Sequence, residues 1–190
     1  MSFLLSKKSL RLMLRSSMKS LLSVFVSFAL FMSGVVMAET KVAVLDMELR
    51  DLTLEVTDPK KRAEIAANDQ QNLALTQSLI REGVEQRDHY QLVEIDAKAQ
   101  KQADKGVGFL FDRPDVAADL GQQYDADYVV VGRYHKPSYL FSYIMLRVVD
   151  VDTGKMLEEF KTEVKGRAPE TIPRNIDNVM KDLDALLSSR

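Results

Sequence analysis

Residues 126–134 read ADYVVVGRY, and this run decides the fold class. Three consecutive valines between tyrosines are β-branched and aromatic residues, which suit a pleated backbone, and their unbroken apolar character leaves neither face for water. A strand of this kind lies inside a sheet with helices on both sides. Downstream, Lys136-Pro-Ser makes a turn into a long strand over residues 139–151. Its even positions Leu140, Ile144, Leu146 and Val148 face one way, and the odd positions Tyr139, Phe141, Tyr143 and Met145 face the other. A second turn, Asp152-Thr-Gly-Lys, leads into a strand over residues 156–164. There Met156, Phe160 and Val164 share one face, and the opposite face, with Glu159, Lys161 and Glu163, is wet. Residues 171–187 then place Ile172, Ile176, Val179, Met180, Leu183 and Leu187 on one helical stripe, with Pro173 at its start.

Upstream, KVAVLDMEL at residues 41–49 reads as the first strand, and Asp58-Pro59 is a helix-start signal. A helix over residues 63–86 presents Leu73, Thr76, Ile80 and Val84, with Leu79 beside them. YQLVEI at residues 90–95 is the second strand, and Asp96 caps the short helix after it. Lys105 to Arg113 forms a glycine-containing loop, and Pro114 opens a helix that runs to Gln123. The order βαβαβββα implies an α/β (α+β) domain. Its five-stranded mixed sheet is flanked by helices, parallel where helices cross over and antiparallel at the two tight turns.

The 190 residues carry 26 Lys plus Arg, 28 Asp plus Glu and no Cys, which excludes disulfide, zinc-thiolate, iron–sulfur and Cys-nucleophile chemistry. The charges are unevenly placed. Residues 1–38 hold Lys7, Lys8, Arg11, Arg15 and Lys19 and no acid; setting those five aside leaves 21 basic and 28 acidic residues, a net of −7. Nucleic-acid binding, which needs a clustered basic face, is not expected of such a body.

The basic stretch precedes an apolar run from Leu21 to Val36 and a Val-Met-Ala sequence ending at Ala38. This is the pattern of a secretory signal peptide over residues 1–38, cleaved after Ala38, and the run is shorter than the ~20 apolar residues of a membrane span. Met18 is an alternative start that yields the same mature chain. The expectation is a single periplasmic domain over residues 39–190, with no stable membrane span after cleavage and a fold held by its core alone.

The runs YQLVE from Tyr90, YDADYVVVGR from Tyr124 and LRVVDVDTGKML from Leu146 resemble the layout of the amino-terminal domain of TolB. They are also similar to that of the curli-secretion lipoprotein CsgG, the flagellar protein FlgT and a group of secreted single-domain bacterial proteins. The resemblance covers most of residues 41–188. It implies the same mixed α/β fold and a role as an envelope scaffold or binding module, with no catalytic residues to carry over. TolB's propeller, the acylated Cys and the membrane-spanning hairpins of CsgG have no counterpart here.

The residues themselves offer little assembled chemistry. Asp150-Val-Asp152-Thr-Gly154 opens like a calcium loop, but its twelfth position is Lys161 where a bidentate Glu is needed, so it reads as a hairpin turn. Gly106-Val-Gly108 lacks the third glycine of a dinucleotide fingerprint. His89 and His135 are isolated, and no G-x-S-x-G elbow is present, so no metal, cofactor or catalytic residue is expected. Because ligands favour the carboxyl ends of parallel strands, Asp46, Glu48, Asp96, Arg133 and His135 form a candidate ligand-binding set. Phe109 and Phe111 are either a lid on the core or a contact for a partner, and Tyr134, Tyr139, Phe141 and Tyr143 form a candidate surface for an envelope protein or a second copy; this stripe is core instead if helices cover both faces. The leading expectation is a non-catalytic binding or scaffold module. The alternative is a small-ligand-binding or accessory protein of an exported enzyme system.

Overall fold

The computed structural model describes residues 39–53 and 56–190; the expected signal segment and its cleavage point lie outside the described residues. In chain order the elements are β1 (Thr40–Val44), β2 (Glu48–Asp51), α1 (Pro59–Glu85), β3 (Tyr90–Val93), α2 (Ala97–Ala103), α3 (Phe109–Asp112), α4 (Pro114–Gln123), β4 (Tyr128–Lys136), β5 (Phe141–Asp150), β6 (Lys155–Lys165) and α5 (Ala168–Ser188). The strands form one mixed sheet in the order β3-β1-β4-β5-β6, with β2 also on β4. The pairs β1–β3, β1–β4 and β2–β4 are parallel, and β4–β5 and β5–β6 are antiparallel.

The mixed α/β architecture is as expected, with one strand more. The run at residues 41–49 is two strands, because the chain leaves the ladder at Leu45–Met47. Val44 pairs with Val130 and Glu48 with Arg133, so four steps on this side meet three on β4. Two glutamines satisfy the backbone groups of the excursion. Gln77 accepts from Met47 N at 2.8 Å and donates to Leu45 O at 3.2 Å; Gln100 accepts from Asp46 N at 2.8 Å and donates to Asp46 O at 2.9 Å. Met47 folds over Gly132, where a Cβ would stand 2.5 Å from Met47 Cγ, so any larger residue would push the Met47 side chain aside. The extra residue reverses the alternation: Val42 and Val44 share a cluster with Leu49, while Ala43 and Leu45 point to the opposite side.

Helices cover both faces. α1 and α5 enclose Val130, Tyr134, Ile144, Leu146 and Val148 on one side; α2, α3 and α4 enclose Val129, Val131, Val149 and Val151 on the other. The α5 stripe is buried as its spacing predicts. Asp58 caps α1 by accepting from Lys60 N and Lys61 N, and Asp96 caps α2 in the same way through Lys98 N and Ala99 N. Asp150 accepts from Thr153 N and Oγ1, both at 2.8 Å, as a turn requires.

Three local readings are corrected. The segment at residues 105–113 contains the short helix α3, which seats Leu110 and Phe111 in the core. β5 begins only at Phe141, so Leu140 lies in the turn at 83% exposure instead of sharing a face with Ile144. Val148 pairs with Glu158 and Val149 with Met156, so Leu157 is an inserted residue. It packs against the α1–α5 cluster and leaves Met156 exposed.

Candidate binding site at the end of the sheet

The last residues of β4 alternate between the two faces. Arg133 and His135 point to the α3 side, and Tyr134 and Lys136 point to the α1 side. On the α3 side, the buried Phe111 ring lies between two guanidinium groups, Arg133 and Arg147, whose Cζ atoms are 3.9 and 4.1 Å from its centroid. Glu48 accepts from Arg133 Nε and Gly108 N. Asp112 accepts from Arg133 Nη2 and Arg147 Nη1, each at 3.3 Å. Arg147 also donates to Phe111 O at 2.7 Å and to Glu159 at 2.6 Å. Two cations thus meet three carboxylates, and the arrangement clips α3 and its approach loop to the sheet.

Of the ligand set read from the sequence, the structure brings Glu48 and Arg133 together within this clip. His135 follows on the same face; its Nδ1 is buried with no hydrogen-bond partner, and its ring stacks on Tyr143 at 6.5 Å. Burial, then the positive charges of Arg50, Arg133 and Lys161, hold its pKa below the ordinary imidazole value. Asp46 lies apart, paired with Arg81 at 3.0 Å, and Asp96 is spent on its helix cap.

The α1 side holds groups that the sequence reading missed. Lys136 Nζ lies 2.5 Å from Asp69 Oδ2 and 3.7 Å from Asp51 Oδ2, with the Lys136 and Asp69 side chains only 8% and 6% exposed. Burial favours the neutral Asp51 carboxyl, but hydrogen bonds from Thr53 and the charge of Lys136 outweigh it and hold the pKa below the usual value. Burial raises the Tyr134 hydroxyl, with hydrogen bonds to Ser142 and Asn72 opposing it. A signal was present: Asp69 and Asn72 precede Thr76, Ile80 and Val84 at helical spacing, so two polar residues occupied a stripe assigned to the core.

Above this ion pair opens a cleft of about 370 Å³ walled by Ile65, Tyr139, Leu140, Phe141 and Val164. A second hollow of about 300 Å³, bordered by Leu49, Val56 and Arg62, shares Ile65, Asp69 and Tyr139 with it. Tyr139, Leu140 and Leu52 are 52%, 83% and 56% exposed. Of the aromatic surface read from the sequence, Tyr139, Phe141 and Tyr143 remain partly open, with Phe141 edge-on to Tyr143 at 5.5 Å. Tyr134 and Phe111 are core at 2% exposure: β4–β5 pairing sets Tyr134 against Ile144 and leaves His135 beside Tyr143. Phe109 is half-buried between Lys105 and Arg113. Among the described residues, no three His, Asp or Glu side chains form a metal-ligand set, and no helix is long and apolar enough to cross a membrane.

Comparison with curated proteins found no match. Among solved structures, the chain is similar to the C-terminal domain of LpoB from Salmonella enterica (18% identity over 74% of this chain and 93% of that chain, TM-score 0.40). It is similar also to PelC from Paraburkholderia phytofirmans (10% identity, 82% and 91% covered, TM-score 0.42) and to the lipoprotein GNA1162 from Neisseria meningitidis (13%, 76% and 96%, TM-score 0.41). The family model DUF3280, described as "Protein of unknown function (DUF2380)", matches residues 40–183, and the chain belongs to that family.

Proposed function

We propose that this chain is a non-catalytic binding module of the bacterial cell envelope, exported to the periplasm, which holds a protein partner at the sheet end marked by Tyr139 and Leu140. The observation that carries the proposal is the exposure of these two residues, 52% and 83%, on the rim of a cleft with apolar walls. Covering an exposed Leu or aromatic side chain is worth about 1.5–3 kcal/mol, and a rim with a hollow beside it lets a partner insert a side chain as well as cover one. The charged groups nearby serve the fold: Arg133 and Arg147 are held by Glu48, Asp112 and Glu159, and Lys136 by Asp69. The resemblance of residues 90–94, 124–133 and 146–157 to envelope scaffold and binding modules supports the same reading.

A photo-crosslinking residue at Leu140 in living cells tests the proposal. It should trap one partner, which the purified pair then rebinds and which Leu140→Asp releases. Crosslinks no different from those at Asp119, on the exposed side of α4, would remove the reading. The Lys136–Asp69 pair on the cleft floor favours a second reading, a small polar ligand entering the same hollow. A metabolite that raises the melting temperature of the chain, and fails to do so with Lys136→Met, would select it.

A further inference from the structure

We propose that the free edge of β6 pairs antiparallel with β6 of a second copy of this chain about a two-fold axis at Thr162, which joins the two sheets into one. The edge adjoins the cleft, since Val164 also walls it, but the pairing does not involve the rim residues Tyr139 and Leu140. β6 is the last strand of the sheet, and its far edge has no strand beside it among the described residues. Asn175 Nδ2 donates to Glu163 O at 2.8 Å, so that carbonyl faces away from β5. By strand alternation, the backbone groups of Glu159, Lys161 and Lys165 face the free edge as well.

The sequence of that edge matches itself in reverse. After the inserted residue at Leu157, regular pairing to β5 carries the segment EFKTEVK, residues 159–165. When a second copy runs antiparallel with Thr162 opposite Thr162, Lys161 faces Glu163 and Glu159 faces Lys165, each twice by symmetry. Phe160 then faces Val164, an aromatic against a β-branched side chain. Opposite charges, aromatic–β-branched pairs and paired threonines are the cross-strand combinations that stabilise antiparallel strands.

A two-fold axis normal to the sheet must pass through a residue, since opposed residues share a face, and the neighbouring registers fail. Centring on Lys161 opposes Lys161 to itself and Glu159 to Glu163. Centring on Glu163 opposes Glu163 to itself and Lys161 to Lys165. Centring on Phe160 brings Glu163 against the inserted Leu157 and leaves a shorter regular ladder. Lysines on an edge strand commonly ward off pairing, but in this register Lys161 and Lys165 both have a carboxylate opposite; within one chain Glu163 already holds Lys165 at 2.9 Å and Glu159 holds Arg147 at 2.6 Å, and the second copy brings each carboxylate a further lysine. The Glu163 carbonyl keeps a second lone pair for the incoming Lys161 N–H while Asn175 holds the first.

Protein purified from cells expressing the full sequence should be a dimer by light scattering and sedimentation. Lys161→Glu should weaken association by roughly tenfold or more, because two attractive pairs become repulsive. Lys161→Glu combined with Glu163→Lys should restore it, which a merely misfolded single variant would not do. Thr162→Cys, the only thiol in the chain, should give a covalent dimer on mild oxidation, since residues opposed across a non-hydrogen-bonded site lie close enough for a disulfide. A chain that is monomeric at every concentration, a charge swap that leaves the single variant's defect in place, or a Thr162→Cys protein that does not crosslink while remaining folded by circular dichroism would each overturn the proposal.

Discussion

The two halves of β4 are the same strand in different company. In the first half, Val129, Val130 and Val131 are no more than 3% exposed and pack into the apolar clusters on the two faces of the sheet, with Arg147 opposite Val131 as the one charged cross-strand neighbour. In the second half, Arg133 and Lys136 are as enclosed as many core residues, at 6% each, yet both are cations held by carboxylates from other elements. The first half needs only apolar side chains of suitable size to close. The second half takes charges out of water, a cost that matched apolar residues would avoid and that the partners offset only while every one is present. It is also the half that leads into Tyr139 and Leu140, where apolar residues stand in water. Packing alone accounts for the valine half, whereas the charged half borders the surface proposed for a partner.

Breaking one partner of the buried pair gives the sharpest contrast. Asp69→Ala leaves the Lys136 ammonium enclosed with only the more distant Asp51, and should cost about 3–5 kcal/mol in urea unfolding. Asp69→Leu combined with Lys136→Met replaces the pair with apolar volume and should be near neutral or stabilising. If the single and double variants lose stability equally, the ion pair has no special standing and the contrast between the halves of β4 disappears.

Much of this contrast is legible in the sequence. The valine run at the start of β4, the α5 stripe and the Asp58 and Asp96 caps depend on neighbours within a few residues, and local periodicity reads them directly. The division of residues 41–49 into β1 and β2 is hidden because Gln77 and Gln100, 30 and 54 residues away from their partners, supply the hydrogen bonds that make it tolerable. The sequence places Tyr134 across the turn from Tyr139, and only the register with Ile144 shows that it faces the core. The candidate ligand set disperses for the same reason: the inserted residue between β1 and β2 separates Asp46 from Glu48. Asp69 is legible as a polar residue on a buried stripe, but its partner Lys136 can be named only with the fold in hand.

The strand excursion sharpens the comparison at a smaller scale, because it lies between the parts of the sheet that face the two halves of β4. Gln77→Ala removes the acceptor for Met47 N and the donor to Leu45 O in one step. Leaving these partly buried groups without partners should cost about 2 kcal/mol. Hydrogen exchange should locate the effect, with protection lost at Met47 and along β2 while β1 and the valine run keep theirs. Equal loss in β1 would mean that β1 and β2 open as one strand and that the excursion does not divide them.

The smallest expected effect is a dependence on pH that arises only in the charged half. His135 faces Arg50 of β2, Arg133 of β4 and Lys161 of β6, with the Tyr143 ring of β5 stacked on it. Burial and those cations lower its folded-state pKa below the ordinary value of about 6.5, so in the unfolded chain it takes up a proton at a higher pH than in the native one. Its contribution to stability is therefore fully present above about pH 6.5 and declines as the pH falls through the folded value. His135→Asn keeps a polar side chain without titrating, so the loss of stability between about pH 7 and about pH 5 should be shallower than in the parent chain. If the two curves run parallel, the cations around His135 are too well screened to reach it, and the second half of β4 differs from the first in what it buries but not in how it responds to protons.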